Sequence, residues 1–140
     1  MSNISLLLPV FAMVLLTFIA WVAMFLARVS SMKESNIDIE EMASHSAHSR
    51  LSEKANVASE HLINLFELPV LFYVLVALLI ISNTEGPLYC LLAWVFVGFR
   101  YAHSIVALSY NTVMHRFVTY LLSSIALWAA WVVFAIDVIL

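Results

Sequence analysis

HLINLFELPVLFY, residues 61–73, opens the second of four long apolar segments and decides the fold class of this chain. It places an amide, Asn64, and a carboxylate, Glu67, three residues apart, so both side chains share one face of a helix. A carboxylate near the centre of a bilayer costs roughly 3 kcal/mol on insertion scales. Because of that cost, the Glu67 carboxylate is expected to have an interaction partner or a functional role. The stretch therefore predicts a polar site inside a helical membrane protein.

The composition of the whole chain indicates the same class. Its 140 residues are 64% hydrophobic and 11% charged, whereas soluble domains hold about 25% charged residues. The alternating segments of a transmembrane barrel are not visible, and the single cysteine, Cys90, excludes an intrachain disulfide. We therefore predict an all-α integral membrane protein.

The four apolar segments predict a four-transmembrane-helix bundle that forms a single domain over residues 1–140. Each segment has about 20 residues, which at 1.5 Å per residue crosses a hydrocarbon core of about 30 Å. The helices are expected at residues 6–27, 60–81, 88–110 and 117–136, with a polar connection at 28–59 whose last part extends helix two. Short turns at 82–87 and at about 110–115 place consecutive helices antiparallel.

The basic residues predict the orientation of the bundle. All six lie in, or close to, the first and third connections: Arg28, Lys33, Arg50, Lys54, Arg100 and Arg116. The positive-inside rule makes that side cytoplasmic, so both termini are expected on the non-cytoplasmic side. We expect a multi-pass protein of a bacterial inner membrane.

A second polar stripe lies on helix three. Arg100, His103 and Asn111 fall within one narrow sector of the helix, at 100° per residue. Arg100 is about 12 residues from the outer end of its helix and Glu67 about 14, so their depths differ by only a few ångströms. The sequence therefore predicts a Glu67–Arg100 ion pair inside the membrane, either as part of a functional site or as a structural pair that fixes the helix register.

The spacing of the histidines gives only a weak indication of metal binding. Glu41, His45 and His48 have a spacing that places metal ligands on one face of a helix, but a solvated polar loop accounts for them better. His61 and His103 both lie toward the inner half, where two facing histidines can bind haem, although haem proteins of this kind usually need more paired histidines. No metal is expected.

Three motifs make the chain resemble the MAPEG superfamily, the membrane-associated proteins in eicosanoid and glutathione metabolism. They are Asn64-Leu65-Phe66-Glu67-Leu68-Pro69-Val70-Leu71-Phe72 in helix two, Arg100-Tyr101-Ala102-His103-Ser104 in helix three, and Asn111-Thr112-Val113-Met114-His115-Arg116-Phe117. The last run looks like an uncharacterised bacterial branch, and the resemblance covers most of the chain.

The resemblance implies a homotrimer in which glutathione, a cosubstrate, lies between subunits near the cytoplasmic side. It implies that glutathione is bound by Asn64, Glu67, Arg100, Tyr101 and Arg28. It also implies that Arg116 stabilises the thiolate, which then attacks a lipophilic electrophile or reduces a hydroperoxide. The expected partners are the lipid bilayer and a lipophilic small molecule, with no nucleic acid.

Two positions differ from the family pattern. Glutathione-using members carry an arginine where this chain has Glu60, and a tyrosine where it has Ile105. A carboxylate at position 60 repels the carboxylates of glutathione, and the neighbouring His61 lacks the bidentate grip of a guanidinium. The alternatives are therefore a non-catalytic trimeric membrane protein or a binder of another ligand. A transporter with Glu67 as a proton site ranks last, because the chain lacks two-half inverted symmetry.

Overall fold

A computed structural model describes residues 4–84 and 86–139, apart from the side chain of His45. Six α-helices and one short 3-10 helix, at Ile39–Ala43, make up the described chain, which contains no strand. The α-helices are α1 (Ile4–Glu34), α2 (His45–Ser49), α3 (Glu53–Asn64), α4 (Leu68–Ile81), α5 (Pro87–Leu108) and α6 (Val113–Ile139). The predicted turn at 82–87 includes Glu85, which lies outside the described residues.

Four stretches are long and apolar enough to cross a membrane. They are α1, α3 together with α4, α5, and α6. The outward faces of α1 and α6 expose large apolar side chains such as Phe11, Phe18 and Trp128, which suits contact with lipid. The prediction of an all-helical, multi-pass integral membrane protein is therefore confirmed.

The core lies where α4, α5 and α6 meet α1. Phe72 of α4 stacks on Phe96 of α5 with ring centroids 4.9 Å apart, and both side chains are buried. At the end of the bundle that holds the termini, the hydroxyl of Tyr89 donates to Oδ2 of Asp137 over 2.6 Å. This bond links the start of α5 to the end of α6.

The connection between the first two spans is largely folded. Ile37, Ala47, Leu51 and Ala55 are buried together in a small core of their own. Ser31 of α1 accepts a 2.7 Å hydrogen bond at Oγ from the backbone N–H of Ser52. The connection at 28–59 thus packs against the C-terminal end of α1, which extends beyond residue 27 to Glu34.

The second span is interrupted, although the sequence predicted one helix over 60–81. The backbone N–H of Leu65 bonds both His61 O (3.3 Å) and Leu62 O (3.1 Å), so the last turn of α3 tightens before the helix ends. Glu67 has φ −93° and ψ −99°, and α4 begins after it with Pro69 as its second residue. Proline lacks an N–H, clashes with the carbonyl four residues earlier and disfavours a helical conformation in the residue before it. This explains why the helix restarts at this position.

Candidate functional site

Arg100 is the most deeply buried cation of the described chain. It lies in the middle of α5 with 0% of its surface exposed. Its guanidinium carbon is 5.4 Å from the ring centroid of Phe96 and 5.0 Å from that of Tyr120. Cation–π attraction therefore compensates part of the cost of burying the charge. None of its three guanidinium nitrogens has a hydrogen-bond acceptor among the described residues.

The predicted Glu67–Arg100 ion pair is wrong within one copy of the chain. Glu67 is exposed, and Arg100 donates to no carboxylate of the described residues. The prediction assumed a uniform rise and rotation along one helix from residue 60 to residue 81. Because α3 ends at Asn64 and α4 starts at Leu68, that assumption fails at Glu67.

Two histidines lie beside Arg100 and complete what we call the basic cluster, namely His61, Arg100 and His103. His61, from α3, is fully buried, and its ring centroid is 5.5 Å from that of His103 on α5. Neither ring nitrogen of His61, nor Nε2 of His103, has a partner among the described residues. The two rings contact each other directly, which leaves no room for a porphyrin between them.

His103 connects the basic cluster to α6. Its Nδ1 donates to the backbone oxygen of Arg116 over 3.0 Å, and Oγ1 of Thr119 lies 3.4 Å from the same nitrogen. Tyr120 lies against both His103 and Arg100. The cluster therefore joins α3, α5 and the first two turns of α6.

Arg116 is held at the turn between α5 and α6. Its Nη1 donates to Oδ1 of Asn111 over 2.8 Å. Asn111 has φ 50° and donates its backbone N–H to Val106 O over 2.8 Å, which holds it just beyond the end of α5. The helix end thus fixes the position of the amide that orients the Arg116 guanidinium.

Asn111 also lines a groove between the C-terminal ends of α1 and α5 and the start of α3. This polar groove, of about 400 Å³, is lined by Glu53, Lys54, Ser109, Asn111 and apolar neighbours. A carboxylate, an ammonium and a hydroxyl therefore lie beside the residue that holds Arg116. Such a groove suits a charged, water-soluble ligand.

The remaining predicted site residues are dispersed within one copy. Tyr101 faces α1, and its hydroxyl donates to Ala12 O over 2.7 Å. Asn64 is half-buried at the end of α3, and Glu67 is exposed beyond it. Arg28 lines a different groove, formed by α1 and the chain that follows it. The structure thus connects Arg116 to the polar groove through Asn111, whereas Arg28 lines another groove and the hydroxyl of Tyr101 bonds α1.

Sequence reasoning placed His103 in the polar stripe of Arg100 and considered His61 and His103 as a facing pair, but it assigned none of His61, His103 and Tyr120 to the site. The available signal was spacing, since His103 lies one turn after Arg100 and Tyr120 one turn after Arg116.

Among the described residues, no group of three or more histidine, cysteine, aspartate or glutamate side chains could hold a metal ion.

An apolar groove of about 380 Å³ runs along the outside of the bundle beside the helix interruption. Phe18 and Trp21 of α1 form one wall, and Phe66 and Tyr73 form the other. Its lining is almost entirely apolar, as is required of a surface that contacts lipid chains or a lipophilic molecule.

Comparison with known proteins gives one result that bears on identity. Neither the curated proteins nor the solved structures contain a match to this chain. The sequence model of the MAPEG family, in contrast, matches residues 6–136, which is nearly the whole chain. With four membrane-spanning segments and this match, the chain belongs to the MAPEG family.

Proposed function

We propose that this protein is a membrane-bound enzyme that uses glutathione to modify lipophilic electrophiles or to reduce lipid hydroperoxides. The observation that carries the proposal is the placement of Arg116. Its guanidinium is bonded to Asn111, which lines the polar groove, and its backbone oxygen accepts from His103 of the basic cluster. Membership of the MAPEG family supports the thiol chemistry.

The polar groove has the charges that glutathione requires. Glutathione carries two carboxylates, one ammonium and a thiol, so its site needs both cations and a carboxylate. Lys54 and Arg116 supply positive charge, and Glu53 supplies a carboxylate for the ammonium.

Arg116 would stabilise the reactive form of the thiol. The thiolate is the nucleophile, and an adjacent cation favours it over the thiol. The thiol proton leaves to water at the groove, and the sulfur forms a bond to an electrophilic carbon while the leaving group departs with its electron pair. With a hydroperoxide, the sulfur attacks oxygen, the O–O bond breaks, and an alcohol and a sulfenic acid form. A second glutathione then converts the sulfenic acid to the disulfide and water.

The apolar groove would receive the second substrate from the bilayer. It lies beside the interruption where Asn64 and Glu67 project, and Phe66 forms part of both the interruption and the groove wall. A lipophilic molecule there would reach the protein without passing through water. This arrangement explains why a thiol-dependent enzyme would be embedded in a membrane.

The dispersion of the predicted site residues supports a homotrimer. Glu67 does not line the polar groove beside Arg116 in a single copy. Residues at the edge of one copy would complete a site at the edge of the next, which a closed symmetric assembly provides.

One observation favours the alternative of a different ligand. Glu60 is exposed at the position where glutathione users carry arginine, and the hydroxyl of Tyr101 is already bonded to α1. A thiol or lipid with fewer carboxylates would avoid repulsion by Glu60. The same features suit a non-catalytic trimer.

The deciding experiment is calorimetric titration of the detergent-solubilised protein with glutathione, combined with turnover of an aryl halide probe. Wild type should bind saturably, and Arg116→Ala and Glu67→Gln should each weaken binding. Glu40→Gln is the matched control, because Glu40 is exposed and lines neither groove. Absence of binding at millimolar glutathione would overturn the proposal and leave the other-ligand alternative.

A further inference from the structure

The C-terminal end of α1 bears the groove that Arg28 lines, and the proposed thiol chemistry assigns no role to it. It has a volume of about 770 Å³. One wall is the last turns of α1, with Phe25, Arg28 and Lys33, and the other is the returning segment 37–42, with Asp38. We call it the headgroup groove. No residue of α3 to α6 lines it, so it is separate from the polar groove and the basic cluster.

A left-handed asparagine creates this groove. Asn36 has φ 48°, and the next residue, Ile37, donates its backbone N–H to Met32 O over 3.0 Å. This hydrogen bond is the one that reverses the chain at a helix end. Ile37 is then buried in the small core of the connection, which holds the returning segment against α1. The groove is therefore part of the fixed fold of this region.

The groove lies at the level of lipid headgroups. The apolar run of α1 from residue 6 to residue 27 has about 22 residues and spans about 33 Å, which covers the hydrocarbon core. Arg28 follows directly at the boundary of that core. Lys33 is about 7 Å farther along the helix axis, at the depth of the phosphates and amines of phospholipids.

The headgroup groove contains two cations and one carboxylate. Arg28 has a buried Nε without an acceptor among the described residues, and Lys33 is exposed. The neighbouring carboxylates have local partners, since Glu41 pairs with Arg50 at 3.4 Å and Glu34 accepts from Ser30 at 3.3 Å. Asp38 is the carboxylate that lines the groove itself.

We propose that the headgroup groove binds a phospholipid whose headgroup ends in a primary amine, such as phosphatidylethanolamine. Arg28 and Lys33 take the phosphate, Asp38 takes the ammonium, and one acyl chain lies along Met24 and Phe25. Two cations and one carboxylate match a phosphate with an attached ammonium. A phospholipid with only negative charge would meet Asp38 unfavourably, and a quaternary choline headgroup has no N–H to donate to it. The proposal assigns Arg28 to lipid and does not rest on the proposed function.

Native mass spectrometry of the full, delipidated protein in detergent tests this proposal. Equal concentrations of phosphatidylethanolamine, phosphatidylcholine and phosphatidylglycerol with identical acyl chains are added. Retained phosphatidylethanolamine should exceed phosphatidylcholine by about fivefold, the factor that one net hydrogen bond supplies. Asp38→Asn should reduce that ratio to about one, and Arg28→Ala with Lys33→Ala should lower retention of all three lipids.

Matched variants keep the test specific. Glu40→Gln removes a neighbouring carboxylate that does not line the groove, and Lys54→Ala removes an ammonium from the other groove. Both should retain the wild-type ratio, with unchanged helical content by circular dichroism. Equal retention of the three lipids, a preference for phosphatidylglycerol, or an Asp38→Asn variant that keeps the wild-type ratio would each overturn the proposal.

Discussion

His103 donates from Nδ1 to the backbone oxygen of Arg116 over 3.0 Å, and this bond ties the centre of α5 to the first turn of α6. The acceptor is a main-chain group, so the bond positions the backbone of the residue proposed to stabilise the thiolate. His103 is 3% exposed, and water cannot easily replace the bond. A positioning role for His103 follows, distinct from the role of Arg116 itself.

Replacing His103 by phenylalanine should therefore loosen the first turn of α6. Arg116 O would lose one of its donors while Thr119 Oγ1 still donates to it over 3.1 Å, so the loss should be about 0.5 to 1.5 kcal/mol and should lower the melting temperature in detergent. Amide hydrogen exchange should accelerate at residues 116–120. His115→Phe is the control, because His115 is exposed and bonds only Tyr110 across the turn. Equal effects of the two substitutions would contradict the positioning role.

Arg100→Met should preserve or raise stability. Replacing a buried charge by an apolar side chain of similar size is often neutral or stabilising by about 1 to 4 kcal/mol. Arg100 has no acceptor among the described residues, and only its contacts with Phe96 and Tyr120 would be lost. The measurement is the melting temperature of the detergent-solubilised variant. A large loss of stability would reveal a partner for the guanidinium, either from another copy or from a bound molecule.

Glu67 and Arg100 should show little coupling in a double-mutant cycle. The structure forms no hydrogen bond between them, so Glu67→Gln and Arg100→Met should add to within about 0.5 kcal/mol in thermal stability. A coupling well above that value would restore the ion pair that the sequence predicted.

Tyr101→Phe should destabilise the contact between α5 and α1. It removes the 2.7 Å bond to Ala12 O, and bonds of this kind between membrane helices average about 0.6 kcal/mol. Tyr110→Phe is the comparison, since Tyr110 lies at the exposed turn and bonds His115. If Tyr101→Phe leaves stability unchanged but weakens glutathione binding, the hydroxyl belongs to the ligand and not to α1.

Asn36→Ala should cost about 1 kcal/mol, because alanine adopts a left-handed conformation poorly. Asn36→Gly should be nearly neutral in the same position. Both can be compared by thermal melting, and lipid retention should follow stability because Asn36 shapes the headgroup groove. Identical behaviour of the alanine and glycine variants would argue against the left-handed turn.

The four spans could be predicted from the sequence because continuous apolar runs of sufficient length have few other structural solutions. The family followed from Asn64, Glu67, Arg100 and Tyr101, which are short motifs at fixed positions. The predicted orientation of the termini, the trimer and the ligand roles of these residues remain predictions.

The interior geometry could not be predicted in the same way. Apolar periodicity does not record where backbone hydrogen bonds are broken, so the interruption at 65–67 was missed although Pro69 was visible. Because the interruption changes the rotation of the chain, the prediction that Glu67 faces Arg100 was also wrong. Tyr101 was assigned to a ligand from its motif, but its bond to Ala12 depends on how α1 packs, which no local pattern specifies.

The interruption has a consequence for the membrane as a permeability barrier. The 14 residues of α4 span only about 21 Å, so the interruption lies inside the hydrocarbon thickness and not at its surface. Backbone groups at that depth must be satisfied without water. Pro69 brings no N–H there, and Val70 donates its own to Glu67 O over 3.2 Å. The chain thus holds a carboxylate part-way across the bilayer, and a comparison of proton leak through vesicles that contain wild type or Glu67→Gln would measure how well the surrounding helices seal this position.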